Sequence, residues 1–282
     1  MSQKILVLGA NGTVGKHLVA ELLARGEQVK AASRNATPME GAEAVAFDFT
    51  TATGAIEPLL DGVDRLFLML PTGYVNSYEL LAPVAQAAID RGIKVVFQSV
   101  LGVDADDSIP YRQVELMLIN SGVASVVLRP NWFMDNFVNF WLPGIQHDVI
   151  AVPAAEGQSS FIDARDIAAS ATAALTSSAF DNQQFNLTGP QAMGYADAAE
   201  LIGEAIGRSL AYQPLSDDDF IAMLTQAGVP ADYAGFLASI FAPVRMGWTA
   251  AVSDAVEQLT GNAPRTLEAW IAEHQAVLAS QG

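Results

Sequence analysis

The chain has 282 residues, 51% of them hydrophobic and only 16% charged, which predicts an extensive buried interior and argues against disorder. Its formal net charge of −17 argues against nucleic acid or an anionic membrane as a partner, since both require positive charge to displace counterions. With no cysteine, disulfides, thiolate catalysis and Cys-ligated metal are excluded. The histidines, His17, His147 and His274, are too scattered for ligand spacing, so no metal site is expected. Met1-Ser2-Gln3-Lys4 leads straight into an apolar run ending at Gly9, too short for a signal-peptide core, and no later run approaches a membrane span; a cytoplasmic protein is expected.

Through the first half, short apolar runs alternate with helix-period segments. Ile5–Leu8, Val29–Ser33, Ala44–Asp48, Arg65–Leu70, Lys94–Ser99 and Ser125–Arg129 read as strands. Val14–Ala24, Ser77–Arg91 and Tyr111–Ser121 read as helices, with a weaker helical signal over Thr51–Leu60. This alternation predicts a parallel sheet covered on both faces, and the near-continuous apolar character of the strands agrees with double-sided burial. After Pro130 the rhythm changes. Strands are expected at Ile150–Pro153, Ser160–Ile162, Gln184–Leu187 and Leu210–Gln213, a helix over Asp166–Leu175, and mostly helices from Tyr195 onward. The reading is an α/β, doubly wound Rossmann domain over residues 1–188, with 131–157 reaching a smaller, mostly helical substrate lobe at 189–282.

Gly9-Ala10-Asn11-Gly12-Thr13-Val14-Gly15 follows a strand and opens a helix, the context in which a glycine pattern carries meaning. Gly9 permits the tight turn, Gly12 lets backbone approach a pyrophosphate, and Gly15 lets the helix pack on the strand. The first helical amides then face the phosphates. The second strand ends Ser33-Arg34, with no acid until Glu40. An acid here would accept from ribose hydroxyls; Arg34 instead offers a planar fork to a 2′-phosphate, or else is a solvated surface arginine. NADP(H) is therefore the expected cofactor. Asp48, before Phe49, is placed either to accept from the adenine amino group or to cap the following turn. Leu70-Pro71-Thr72 should wall the adenosine ribose.

The spacing of these glycines, with Ser33-Arg34, Leu70-Pro71-Thr72, Ser121-Gly122, Leu128-Arg129-Pro130-Asn131-Trp132-Phe133-Met134-Asp135-Asn136 and Leu259-Thr260-Gly261-Asn262-Ala263-Pro264-Arg265-Thr266-Leu267, resembles the NmrA-like branch of atypical short-chain dehydrogenases/reductases. That resemblance implies an NADPH-dependent reductase related to triphenylmethane reductases, quinone reductases and the iminium-reducing ergot-alkaloid dehydrogenases, or alternatively a non-enzymatic NADP(H) sensor of the NmrA kind. Ordinary short-chain reductases carry a Tyr-x-x-x-Lys dyad. Here, counting back from Gly122, the lysine position holds Tyr111 and the tyrosine position Asp107; taking Tyr111 itself as the tyrosine puts Glu115 at the lysine position. The dyad is missing in either register. Ser99 stands where the family relationship places a substrate-orienting serine, and it either lines the nicotinamide pocket or merely ends its strand. Tyr111 either donates near the nicotinamide or packs at its helix start. Asn131, Trp132, Phe133 and Asn136 are candidate substrate-pocket residues, the aromatics having core packing as the alternative. Asp163, Arg165 and Asp166 read as structural salt bridging. The substrate is expected to be a small conjugated electrophile, and nothing in the residues selects an oligomeric state.

Overall fold

Ile5, Leu6, Val7 and Leu8 succeed one another without a polar interruption, and all four are fully buried in a strand near the middle of a seven-stranded parallel sheet. The structure, a computed structural model, describes residues 3–51 and 55–280. Among these, the strands in chain order are β1 (Lys4–Leu8), β2 (Gln28–Ser33), β3 (Glu43–Ala46), β4 (Val63–Leu68), β5 (Lys94–Gln98), β6 (Ser125–Pro130), β7 (Val149–Val152), β8 (Gln158–Ser159), β9 (Gln183–Leu187), β10 (Met193–Gly194) and β11 (Ala211–Pro214). The main sheet runs β3-β2-β1-β4-β5-β6-β9, every neighbouring pair parallel. The order reverses direction at β1, so β1 and β4 flank the switch point where open α/β sheets bind ligands. This is the α/β, doubly wound architecture of a Rossmann fold.

The chain forms two compact units. The first comprises Met1–Pro130, Ala164–Leu187 and Ala255–Asn262; the second comprises Asn131–Asp163, Thr188–Asp254 and Ala263–Gly282. In the first, Leu6, Leu8, Leu66, Leu68, Val95 and Phe97 form one face of the sheet's core and meet Leu81, Val84, Val114 and Leu118 of the helices Ser77–Asp90 and Pro110–Ile119. The helices Gly15–Ala24 and Ala164–Thr176 pack together, and Ala255–Thr260 packs on the latter. Side chains alternate across each strand, so uninterrupted apolar runs serve both faces at once.

In the second unit, β7 pairs with β11 in parallel and β8 with β10 antiparallel. Helices Tyr195–Ile206, Asp217–Gln226, Ala231–Ser239 and Leu267–Leu278 supply most of the rest. Its core is aromatic, with Phe137, Phe161, Tyr195, Phe220, Phe241 and Trp270 buried together.

Two expectations are corrected locally. The strand expected at Ser160–Ile162 lies at Gln158–Ser159, and Ile162 only meets Phe133 in an isolated bridge. Ser160 cannot extend the ladder because its N–H donates to Thr249 O (3.0 Å) and its hydroxyl to Ala251 O (2.7 Å). The weak helical signal over Thr51–Leu60 resolves into a 3₁₀ turn, Phe49–Thr51, and one helical turn, Ile56–Leu59; residues 52–54 of that reading lie outside the described residues. No single helix among the described residues is long and apolar enough to cross a membrane.

Candidate active site

The glycine turn sits at the carboxyl end of β1. Gly9 has φ +67°, a backbone that side-chain-bearing residues rarely adopt, and a β-carbon there would stand 2.5 Å from the Met69 sulfur. Its carbonyl accepts the Gly12 N–H at 2.8 Å, and the Ala10 N–H reaches Ala32 O at 3.0 Å, tying the turn to the end of β2. Gly15 is buried, and a β-carbon on it would collide with the Gly9 carbonyl group, standing 2.8 Å from its carbon. Gly12 differs: it is exposed, and its only near neighbour in that direction is Gly9 O at 3.1 Å. Asn11 is likewise exposed, Thr13 half-buried and Val14 buried. No side chain caps the helix Gly15–Ala24; its Lys16 and His17 N–H groups donate to Gly12 O (3.1 Å) and Val14 O (3.1 Å), and its positive dipole end lies at the turn. Tight packing inside and bare backbone outside make a cradle that fits a diphosphate.

Around the carboxyl edge, Ser33 ends β2 and its hydroxyl accepts the Thr37 N–H at 3.2 Å, which closes the turn bearing the exposed Arg34. Asp48 Oδ1 accepts from the Thr50 N–H (2.8 Å) and hydroxyl (2.7 Å). Those two bonds, aided by the Arg34 charge, hold the Asp48 carboxyl below its usual range. Asp48 therefore caps its turn, and it also lies within electrostatic range of Arg34. Phe49 is buried edge-on to Phe47 at 5.0 Å. After β4, Leu70 is buried, Pro71 half-buried and Thr72 exposed.

Beyond β5, Ser99 is only 2% exposed, and its hydroxyl donates to Glu115 Oε1 at 2.6 Å. Glu115, on the helix Pro110–Ile119, is completely buried. Arg129 from β6 grips it with two bonds, Nε to Oε1 (2.8 Å) and Nη2 to Oε2 (2.7 Å), and Arg112 Nη1 adds a third at 2.9 Å. Burial pushes the Glu115 carboxyl up, but bonds from Arg129, Ser99 and Arg112 and the Arg129 charge outweigh it, leaving the net shift downward. Tyr111 starts that same helix, half-buried, with its ring stacked on Phe97 at 6.0 Å. The structure thus brings Ser99 and Glu115 together. No spacing in the sequence connects Glu115 to Ser99; the signal available is Arg129 of the Leu-Arg-Pro run, an arginine inside an apolar strand that requires a buried anion.

In the second unit, Asn131 is buried, its amide donating to Ser160 Oγ (2.7 Å) and Thr249 O (2.8 Å) and its oxygen accepting the Trp132 N–H (2.9 Å). Trp132 is half-buried among Trp141 (6.0 Å) and Phe241 (4.5 Å). Phe133 is half-buried, and Asn136 opens a short helix, Asn136–Asn139. Asn131 is thus engaged on all sides, whereas Trp132 and Phe133 keep partial exposure. Among the described residues there is no cluster of three His, Asp or Glu able to hold a metal ion.

A parallel sheet with a glycine cradle at its switch point defines a dinucleotide-binding Rossmann protein. The NmrA-like family model matches residues 1–271, and the chain belongs to that family. It is 32% identical to the uncharacterized oxidoreductase YesF of Bacillus subtilis (96% of this chain, 95% of that one). It is 30% identical to the NAD(P)H azoreductase of Xenophilus azovorans (96% and 98%). It shares the fold of the Escherichia coli NADPH-dependent quinone oxidoreductase solved with NADPH, with TM-score 0.83 and 24% identity over 95% of this chain and 99% of that one.

Proposed function

We propose that this protein is an NADP(H)-dependent reductase of small conjugated electrophiles. The observation that carries the reading is the glycine turn at β1, where Gly15 is packed against Gly9 while Gly12 presents bare backbone outward beside an uncapped helix. Similarity to an NAD(P)H azoreductase across nearly the whole chain supports it. In this reading Gly9, Asn11, Gly12, Thr13, Val14 and Gly15 receive the diphosphate, and Ser33 and Arg34 hold a 2′-phosphate. Asp48 and Phe49 border the adenine, Leu70, Pro71 and Thr72 the ribose, and Ser99 the nicotinamide side. Trp132 and Phe133 offer flat apolar surface to a conjugated guest, with Asn131 and Asn136 beside them in sequence.

The bound cofactor supplies the hydride; the protein supplies orientation and local electrostatics. A ketone becomes an alkoxide as hydride arrives and needs a placed acid, an effect of about 10²–10⁴-fold. This chain has Glu115 four residues after Tyr111, and that carboxylate is neutralised by two arginines. No lysine stands there to lower a tyrosine's pKa. An iminium ion ends as a neutral amine without a donor, and a quinone can take protons from water, so both suit the site better than a ketone. The test is NADPH oxidation with matched quinone, cyclic iminium and ketone substrates, in wild type and Tyr111→Phe. Quinone or iminium turnover that changes less than about tenfold in Tyr111→Phe, well under the general-acid contribution, is expected. Efficient ketone reduction that collapses in Tyr111→Phe overturns the substrate class, and tight NADPH binding without any turnover identifies a sensor instead.

A further inference from the structure

We infer that Glu115 is a positioning residue for the nicotinamide half of the cofactor site, an inference that rests on the NADP(H) reading above. The loop Ser99–Ile109 leaves the carboxyl end of β5 and is fastened to the cluster around Glu115 at three points. Ser99 donates to Glu115 (2.6 Å); Arg129 Nη1, whose other nitrogens grip Glu115, donates to Asp104 Oδ2 (2.8 Å); Arg112, also bonded to Glu115, donates from Nε to Asp107 Oδ1 (2.9 Å). Backbone bonds add Ser99 N–H to Leu128 O (2.8 Å) and Leu101 N–H to Pro130 O (3.2 Å). Arg129 Nη2 also reaches Gln184 Oε1 (2.6 Å) on β9, so the cluster spans β6, β9 and the helix below.

The strand order tells which part of a dinucleotide this loop borders. Arg34 and Asp48 follow β2 and β3, on one side of β1; β4 and β5 lie on the other. With the diphosphate on the β1 turn and the adenosine towards Arg34, the nicotinamide extends over β4 and β5, two strand spacings or roughly 10 Å from β1. The loop presents Val100, 43% exposed, at that edge. Its position is set from beneath by a carboxylate that is completely buried and an arginine that is 4% exposed. Such a cluster is a poor source of net stability, because apolar side chains of similar volume fold as well. What apolar packing does not supply is a directional hold on three loop residues at once, and that hold preorganises one half of the cofactor site while leaving the other untouched.

The experiment uses two probes of different length. NADPH spans the whole site; 2′,5′-ADP fills only the adenosine half. Calorimetric titration of both against wild type, Glu115→Gln and Asp104→Asn separates the halves, and the fluorescence change of NADPH on binding reports the nicotinamide surroundings. Expected for Glu115→Gln is NADPH affinity lower by about tenfold, with a diminished fluorescence change and 2′,5′-ADP affinity within twofold of wild type. Asp104→Asn, which alters only the outer arm and leaves Glu115 paired, is expected to shift NADPH in the same direction by a smaller factor, and it decides the matter should Glu115→Gln fail to fold. Unchanged NADPH affinity, or equal weakening of both probes, overturns the inference and leaves the cofactor reading standing. Failure of wild type to bind either probe overturns the cofactor reading, and this inference with it.

Discussion

Gly15 packs so closely on Gly9 that a β-carbon at position 15 would stand 2.8 Å from the carbonyl carbon of Gly9 and 2.9 Å from the Ala10 α-carbon. Both neighbours are backbone and cannot move aside as a side-chain tip would. Gly15→Ala is therefore expected to destabilise the protein by about 1–3 kcal/mol through overpacking and to weaken NADPH binding as the turn is displaced. Urea unfolding with a parallel cofactor titration measures both, and a fully stable variant would show that the turn can relax.

Gly12 obeys a different constraint. It is not among the positive-φ glycines, and among the described residues a β-carbon on it would meet Gly9 O at 3.1 Å and little else. Gly12→Val is expected to keep the far-ultraviolet circular dichroism of wild type while losing NADPH binding by at least about a hundredfold, since the side chain would fill the space proposed for the diphosphate. A folded variant with normal affinity would move the phosphate site elsewhere.

Arg34 is exposed and lies within electrostatic range of Asp48. A charge-assisted bond to a 2′-phosphate is worth roughly 1.5–3 kcal/mol, or about ten- to a hundredfold in affinity. Arg34→Ala is expected to erase the preference for NADPH over NADH by that factor, leaving NADH affinity nearly unchanged. Equal affinities in wild type, or an unaltered ratio in the variant, would remove the assignment.

For Glu115, the native pKa lies below the ordinary carboxylate value, so its stabilisation is complete above the unfolded pKa of about 4.3 and disappears as pH falls through the lower native value. The wild-type advantage over Glu115→Gln in Tm should accordingly be constant from neutral pH down to about 5 and shrink below about 4. At neutral pH, uncovering two buried guanidinium contacts costs about 3–5 kcal/mol. An advantage that grows on acidification would mean that burial, rather than the arginines, controls this carboxyl.

Asn131 donates to Ser160 Oγ and to Thr249 O inside the second unit. Asn131→Ala leaves that carbonyl without this donor, and a loss of about 1–3 kcal/mol in chemical denaturation is expected. No measurable loss would indicate that water replaces the amide.

The inner strands of the main sheet were legible in the chain itself, because doubly buried parallel strands demand uninterrupted apolar runs such as Ile5–Leu8 and Val95–Phe97. The glycine turn was equally legible, since positive φ and close packing admit almost no other residue at Gly9 and Gly15. These are local requirements, written at fixed spacing along the chain. The partners of Ser99 were not: Glu115 lies 16 residues away and Arg129 a further 14. No spacing rule links a strand end, a helix interior and a neighbouring strand. Only the packing of the Pro110–Ile119 helix beneath β5 and β6 brings a buried carboxylate to that hydroxyl, because the desolvation of one charge is met by others wherever the fold happens to place them. The sequence by itself thus determined the fold and the cradle; the tertiary structure decided which side chains hold the loop beside it.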